Sequence, residues 1–401
     1  MTSSNSDPTI LLGAPIKLPC GAVLKNRLIK SAMSDSLGDG EGNPTQAQMR
    51  LYERWANGGA ALSLIGEVQS NPLLPEKPSN LVLAPDADLQ TLQALAKSGS
   101  ANGAQIWPQL GNAGALSHRP ISQPKGPSAL DVEGLKSDGM SLDEILELPG
   151  IYARAAVLAK DVGFGGVQIH AGHGFLLSQF LSPLFNHRND DYGGAIEARF
   201  RIIGEIIDAV RRAVGDAYPI GIKINSTDKL VGGLTNDEAL EVVRMLDKTS
   251  IDLIDVSGGT YFPGAASSSD GASTTGPYFI DFAKRAKQQT SIPIMVTGGF
   301  QTRQQASAAI ENNCADLIGI ARAMVLDPDL PNIWLGNDSR DPKFPILDAP
   351  PRGGVTAWYS MRLTALAEDN EEQFDLNAAQ ALSAYDLRDE KRSKKWRMRF
   401  G

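Results

Sequence analysis

Eight short runs rich in Val, Ile and Leu recur along this 401-residue chain, at 28–33, 61–67, 105–110, 166–170, 220–225, 253–258, 293–298 and 317–321. Continuous apolar runs of this length are what parallel strands look like when both of their faces are buried. Between them lie amphipathic, helix-like stretches at 45–56, 88–98, 142–161, 196–214, 235–249, 278–289 and 303–312. Thr235-Asn-Asp-Glu238 has the form of a capping box, a hydroxyl at the cap and an acid three residues on. No Gly/Ser linker splits the series. The expectation is therefore an α/β chain built as a single closed (β/α)8 TIM barrel, spanning 1–340, followed by a partly helical extension with a basic tail over 341–401.

Two further features fit that plan. The segment 16–24 reads as a small hairpin turning at Cys20-Gly21, an N-terminal cap for the bottom of the barrel. Long polar or Gly/Pro-rich connections follow strand 3 (111–139) and strand 6 (259–277), at the strand ends where barrel enzymes assemble their sites, so substrate specificity is expected there. The residues from 355 to 395 look helical and external. From Asp386 to Gly401 seven Lys/Arg face three acids, a run that reads as a solvated or subunit-contacting tail and leaves room for a homo-oligomer.

Composition narrows the function classes. A formal net charge of −8 argues against a nucleic acid or an anionic membrane held by bulk electrostatics, and points to a small-molecule partner. The two cysteines, Cys20 and Cys314, cannot build a disulfide framework, and suit a reducing compartment. The start of the chain lacks the basic patch and apolar run of a signal peptide, and no apolar stretch is long enough to span a bilayer, so a cytoplasmic location is expected.

Two of only four histidines, His170 and His173, sit three residues apart just past the carboxyl end of strand 4, among glycines that allow close approach. A metal site needs a third protein ligand, and none is near in sequence; no metal is expected. Neutral imidazole donors polarising a carbonyl or nitro oxygen are the better physical use of the pair. Of the five tryptophans, Trp107 alone lies close enough to Gln109 to reach such a site.

The segment running from His170-Ala-Gly-His-Gly-Phe175 through Asp191-Tyr-Gly-Gly194 to Glu197-Ala-Arg199 resembles the signature of the old yellow enzyme family of FMN-dependent oxidoreductases. The resemblance covers roughly residues 14 to 335. It implies a (β/α)8 barrel with FMN across its top, reduced by NAD(P)H and passing hydride to the β-carbon of an activated alkene. It also implies roles residue by residue. The run Asn26 to Ser34 is similar to the first-strand motif flanking the flavin, with Ala32, Met33 and Ser34 against the ring. Gly66 stands where the backbone approaches the isoalloxazine, Gln109 resembles the glutamine that pairs with the pyrimidine, and Lys223 occupies the position of the cation beneath the ring. Gly298, Gly299, Ala321 and Arg322 fall on the loops after strands 7 and 8, the phosphate cradle that fold and family both indicate.

One departure shapes the functional expectation. Two positions after His173 the family places a proton-donating Tyr, and this chain has Phe175. The proton for an alkene's α-carbon must then come from water or from another residue such as Tyr261. The alternatives are a quinone or nitro reductase or NADH oxidase with weak alkene reduction, and, from a different class, a catalytically silent flavin-binding barrel acting through partners.

Overall fold

The computed structural model describes residues 7–265, 276–336, 338 and 340–401. Residues 266–275, in the connection after strand 6, and the first six residues of the chain lie outside that set. Eight parallel strands form the barrel: β1 (Leu28–Lys30), β2 (Leu62–Gln69), β3 (Gln105–Gly111), β4 (Val167–Ala171), β5 (Ile220–Asn225), β6 (Leu253–Ser257), β7 (Ile294–Thr297) and β8 (Leu317–Ile320). Each lies where an apolar run predicts it. Neighbours pair in chain order, and β8 pairs with β1 through Ile318 and Leu28, which closes the sheet on itself.

The helices α1 (Gln46–Asn57), α2 (Leu89–Gly99), α3 (Leu142–Asp161), α4 (Ile196–Val214), α5 (Asn236–Leu246), α6 (Ile280–Ala286) and α7 (Arg303–Glu311) form the outer ring. Capping is explicit. Thr235, Ser141 and Thr302 each accept the backbone N–H three residues on, while a Glu or Gln there returns the bond.

At the bottom, Ile16–Lys17 pairs antiparallel with Val23–Leu24, and Gly21 turns the hairpin at φ 95°. Leu18 and Leu24 of this cap pack with Leu62, Leu64, Trp107, Leu253 and Met295. Trp107 therefore belongs to the floor of the barrel and not to the site. The pleat puts it on the same inward face as Gln109, but two residues nearer the hairpin, and its ring lies so close to Gly166 that a Cβ there would approach it to 2.6 Å.

One irregularity sits in β2. Register against β3 shifts between Ile65 and Val68, so Gly66 and Glu67 together oppose Gln109, and Glu67 takes the left-handed φ of 56°. Regular alternation would send Glu67 outward with Ile65. The bulge turns it inward instead.

The extension does not stand away from the barrel. Its first helix, α8 (Gly354–Ala367), packs on α1, where Arg50 and Arg54 donate to the carbonyls of Ala367 and Leu366. Its second, α9 (Ala378–Phe400), lies across the loops after β1, β2 and β3. Arg392 donates to Ser36 O at 2.7 Å, Arg397 to Pro120 O at 2.8 Å, and Lys77 faces Asp389 at 3.6 Å, while Tyr385 and Trp396 are buried. The basic tail read from sequence as solvated or subunit-contacting is a helix docked on the barrel: Lys391, Lys394 and Lys395 stay exposed, while Arg392, Arg397 and Arg399 donate to loop carbonyls.

Candidate active site

The strand ends bring three chemical groupings to the mouth of the barrel. The first is a chain of buried polar groups across its interior. Gln109 donates to Gln168 at 2.6 Å, Gln168 donates to Asp255 at 3.2 Å, and Asp255 pairs with Lys223 at 3.1 Å. Thr297 donates to the other oxygen of Asp255 at 2.7 Å and shares a hydrogen bond with Ser31. Lys223 and Asp255 are direct register partners on β5 and β6, so the pleat itself aims both inward.

The second is the histidine turn. His170 is the last but one residue of β4, and His173 takes a left-handed φ of 59° that presents its backbone N–H to Asn225 Oδ1 at 2.9 Å. Gly174 follows at φ 81°, and a Cβ there would meet Thr260 Oγ1 at 2.3 Å, so the close approach of the β4 and β6 loops requires glycine. The rings lie edge to face with centroids 5.2 Å apart. His173 Nε2 is 2.9 Å from Ser257 Oγ, and His170 Nε2 is 3.0 Å from Glu67 Oε1. Burial, reinforced by Lys223, pushes His170 down to about 3. Burial first, then His170 and Lys223, holds His173 well below the ordinary imidazole range. Both rings are therefore neutral at physiological pH and carry one N–H each.

The third is a cavity of about 300 Å3 bordered by Ala32, His173, Lys223, Gly298, Gly299 and Arg322. Ala321 and Ser257 also line it, and Phe344 of the extension folds back to close one side. Gly298 and Gly299 adopt φ of 120° and 84°, and a Cβ on Gly299 would stand 2.1 Å from Gly276 O, so no other residue permits this turn. Arg322 stacks on the Tyr359 ring at 5.1 Å and caps the helix Ala323–Leu326.

Of the other residues singled out in sequence, Met33, Ser34, Gly66, Gln109 and His170 do not line this cavity. Ala32, Met33 and Ser34 are half-buried beyond β1, and Gly66 packs against Met33 so tightly that a Cβ would meet its carbonyl carbon at 2.3 Å. Phe175 and Tyr261 instead line a neighbouring cavity of about 440 Å3, together with Glu76, Lys77, His118 and Arg119. Phe175 is 5% exposed, with its ring 5.3 Å from that of His170. Tyr261 is 61% exposed, its ring 5.8 Å from Phe175 and 6.5 Å from His173. Burial and the nearby Glu67 push Glu76 up to about 7, while burial pushes His118 down to about 4. Sequence reasoning missed Asp255, Ser257, Lys77 and Phe344. A carboxylate inside an apolar strand could have flagged the first; nothing local marks the others. Among the described residues no group of His, Cys, Asp or Glu is arranged to hold a metal ion, and no helix is long and apolar enough to cross a membrane.

A closed barrel with a glycine-built cradle after β7 and β8 and a buried lysine beneath it is the class that seats a phosphate-bearing cofactor at its carboxyl face. The chain belongs to the NADH:flavin oxidoreductase / NADH oxidase family, whose model matches residues 12–333. It is 32% identical over 355 residues to the NADH-dependent flavin oxidoreductase iliE of Hypocrea jecorina, covering 80% of this chain and 88% of that one. A protein of the same description from Neonectria sp. is longer, and the chain spans 46% of it. The NADPH dehydrogenase of Bacillus velezensis is 31% identical, covering 76% of this chain and 88% of that one. Among solved structures, a 2-naphthoyl-CoA reductase in complex with 2-naphthoyl-CoA superposes with a TM-score of 0.76 at 27% identity, over 81% of this chain and 52% of that one. FMN, with NADH or NADPH as reductant, is thus the cofactor set of an NAD(P)H-dependent flavin oxidoreductase. The cavity fits it, since the positive-φ glycine turn and Arg322 suit a phosphate and Lys223 lies on the same cavity wall.

Proposed function

We propose that the chain reduces an activated alkene, an α,β-unsaturated carbonyl or nitroalkene, whose electron-withdrawing oxygen is held at His170 and His173. The observation that carries this reading is the pair of buried, neutral imidazoles at the end of β4, one of them lining the cavity that holds Lys223 and the glycine cradle. When bound, FMN would supply the two-electron hydride chemistry between NAD(P)H and the acceptor. Gly298, Gly299, Ala321 and Arg322 hold its phosphate; Ala32, Met33, Ser34 and Gly66 flank its ring, and Gln109 offers an amide to its pyrimidine edge. Lys223, kept in place by Asp255, is the cation available to it. Neutral imidazole N–H groups, already desolvated, stabilise negative charge that builds on the acceptor oxygen without reorganisation.

Phe175 favours a second reading. Its ring lies 5.3 Å from that of His170, at the position where the family resemblance puts a proton-donating Tyr, and it carries no hydroxyl. Acceptors that need no proton at carbon, namely quinones, nitro compounds and O2, are hurt less by that loss. For the alkene reaction Tyr261, which lines the neighbouring cavity together with Phe175, or water supplies the proton.

Purified protein tests both. It is expected to be yellow, to bleach under anaerobic NADH or NADPH, and to be re-oxidised by cyclohexenone, a quinone and a nitroaromatic at rates whose order assigns the acceptor. Colourless protein that takes up no FMN defeats the reading. His170→Ala combined with His173→Ala should abolish the binding of phenolic ligands, and retained binding would remove both residues from the acceptor's oxygen.

A further inference from the structure

Glu67 is a buried carboxyl, 6% exposed, placed inside the barrel by the bulge in β2. A non-glycine residue at φ 56° is a strained conformation that persists only where its surroundings hold it, and such residues cluster at functional sites. Its side chain has a single polar partner. Oε1 lies 3.0 Å from His170 Nε2, while Oε2 is buried with no hydrogen-bond partner among the described residues. The missing side chain of Gly111 makes room for it, since a Cβ there would stand 3.0 Å from Oε2.

The other face of the imidazole fixes its tautomer. His170 Nδ1 accepts the backbone N–H of Gly172 at 3.2 Å, so in the neutral ring the proton sits on Nε2 and points at Glu67. We propose that Glu67 is a positioning residue of the acceptor site, holding the Nε2–H of His170 so that an acceptor oxygen must take that donor away from the carboxyl. This rests on the assignment of His170 to the acceptor oxygen. It also makes the two histidines unequal: His173 is braced by a hydroxyl, Ser257, and His170 by a group that ionises.

The ionisable groups around the pair are Lys223 on β5, Glu76 on the loop after β2, Tyr152 on α3, and, next to His170, His173 and Asp255. Burial pushes Glu67 up to about 8, with Lys223 opposing it. Below that pH the carboxyl is neutral, a weak acceptor that releases the donor readily. Above it the carboxylate makes a charge-assisted bond and retains the donor. If only the neutral form admits a ligand, the competent fraction at one pH unit above the midpoint is about a tenth, and the apparent dissociation constant rises about tenfold.

Two measurements test the proposal. Pentafluorophenol, which stays ionised across the range, is titrated into the FMN-loaded protein at pH 7 and pH 9 and followed by its long-wavelength band with the flavin. Wild type should weaken about tenfold between the two, and Glu67→Gln, which keeps an acceptor oxygen but cannot ionise, should be flat. A Glu67→Gln protein that keeps the tenfold loss overturns the proposal. The second measurement needs no cofactor. With four histidines in the chain, 15N-histidine spectra can follow His170 Nε2, assigned by its loss in His170→Gln. Its resonance should inflect near pH 8 in wild type, and absence of that inflection overturns the proposal whatever the variant does. A wild-type protein that shows the inflection but no phenol band would instead count against the assignment of the acceptor site.

Discussion

Two pairs of ionisable groups sit side by side in the barrel, and they solve burial in opposite ways. Lys223 and Asp255, on β5 and β6, meet as an ion pair at 3.1 Å, with Gln168 and Thr297 donating to the carboxylate. His170 and Glu67, on β4 and β2, are driven by burial toward their uncharged forms. His170 and Lys223 are register partners, so a single strand spacing separates the two solutions. Charge is kept at the paired lysine and suppressed at the histidine turn. A charge survives burial only with a partner and further hydrogen bonds, and where they are missing the proton distribution changes instead.

The largest expected effect breaks the charged half. Asp255→Ala leaves the Lys223 ammonium buried without its partner and should cost about 3–5 kcal/mol of stability, read by urea unfolding at neutral pH; a loss below about 1 kcal/mol would mean that water replaces the carboxylate. Next comes acid. The unfolded chain binds protons on His170 and His173 near pH 6.5, and the native state refuses them until far lower, about 3 for His170. That stability is present above pH 6.5 and is lost as pH falls through the window below, by about 1.4 kcal/mol per pH unit for each imidazole. Glu67 and Glu76, raised by burial, gain stability over the same window, so the imidazole share is read as a difference: between urea midpoints at pH 6.5 and 5.5, wild type should lose more, or gain less, than His170→Ala with His173→Ala.

A smaller effect separates cofactor from acceptor. Arg322→Ala should weaken FMN binding by about 10- to 100-fold, the worth of hydrogen bonds to a charged group, measured by equilibrium dialysis. Unchanged affinity would leave the phosphate to the glycine turn alone. The smallest change sharpens the acceptor side. Phe175→Tyr should raise re-oxidation by cyclohexenone about tenfold, short of the roughly 10²-fold or more of a fully placed general acid, and leave bleaching by NAD(P)H unaltered. No gain would show that another group already delivers the proton.

Much of the barrel was legible because parallel strands buried on both faces cannot be anything but apolar, so each run announced itself. The glycine cradle and the histidine turn were legible for a related reason. Their backbone conformations admit few residue types, as the φ values of Gly298, Gly299 and Gly174 illustrate. Glu67 was visible in the second run, but its direction was not, because one extra residue in a strand reverses every face after it. The floor position of Trp107 needed the hairpin's location, and the docking of α9 needed partners hundreds of residues away: Arg392 on Ser36, Arg397 on Pro120.

By itself, then, the sequence determined what local physics dictates: eight buried strands, their capped helices, a turn with two imidazoles and a cradle only glycine can form. Tertiary structure alone decided which of those groups meet. The strand pairings put Lys223 against Asp255, a bulge put Glu67 against His170, and the extension supplied Phe344 and Lys77's partner Asp389. The reason is that burial and pairing, which set the charge of each group, are properties of neighbours in space, and the chain's order does not contain them.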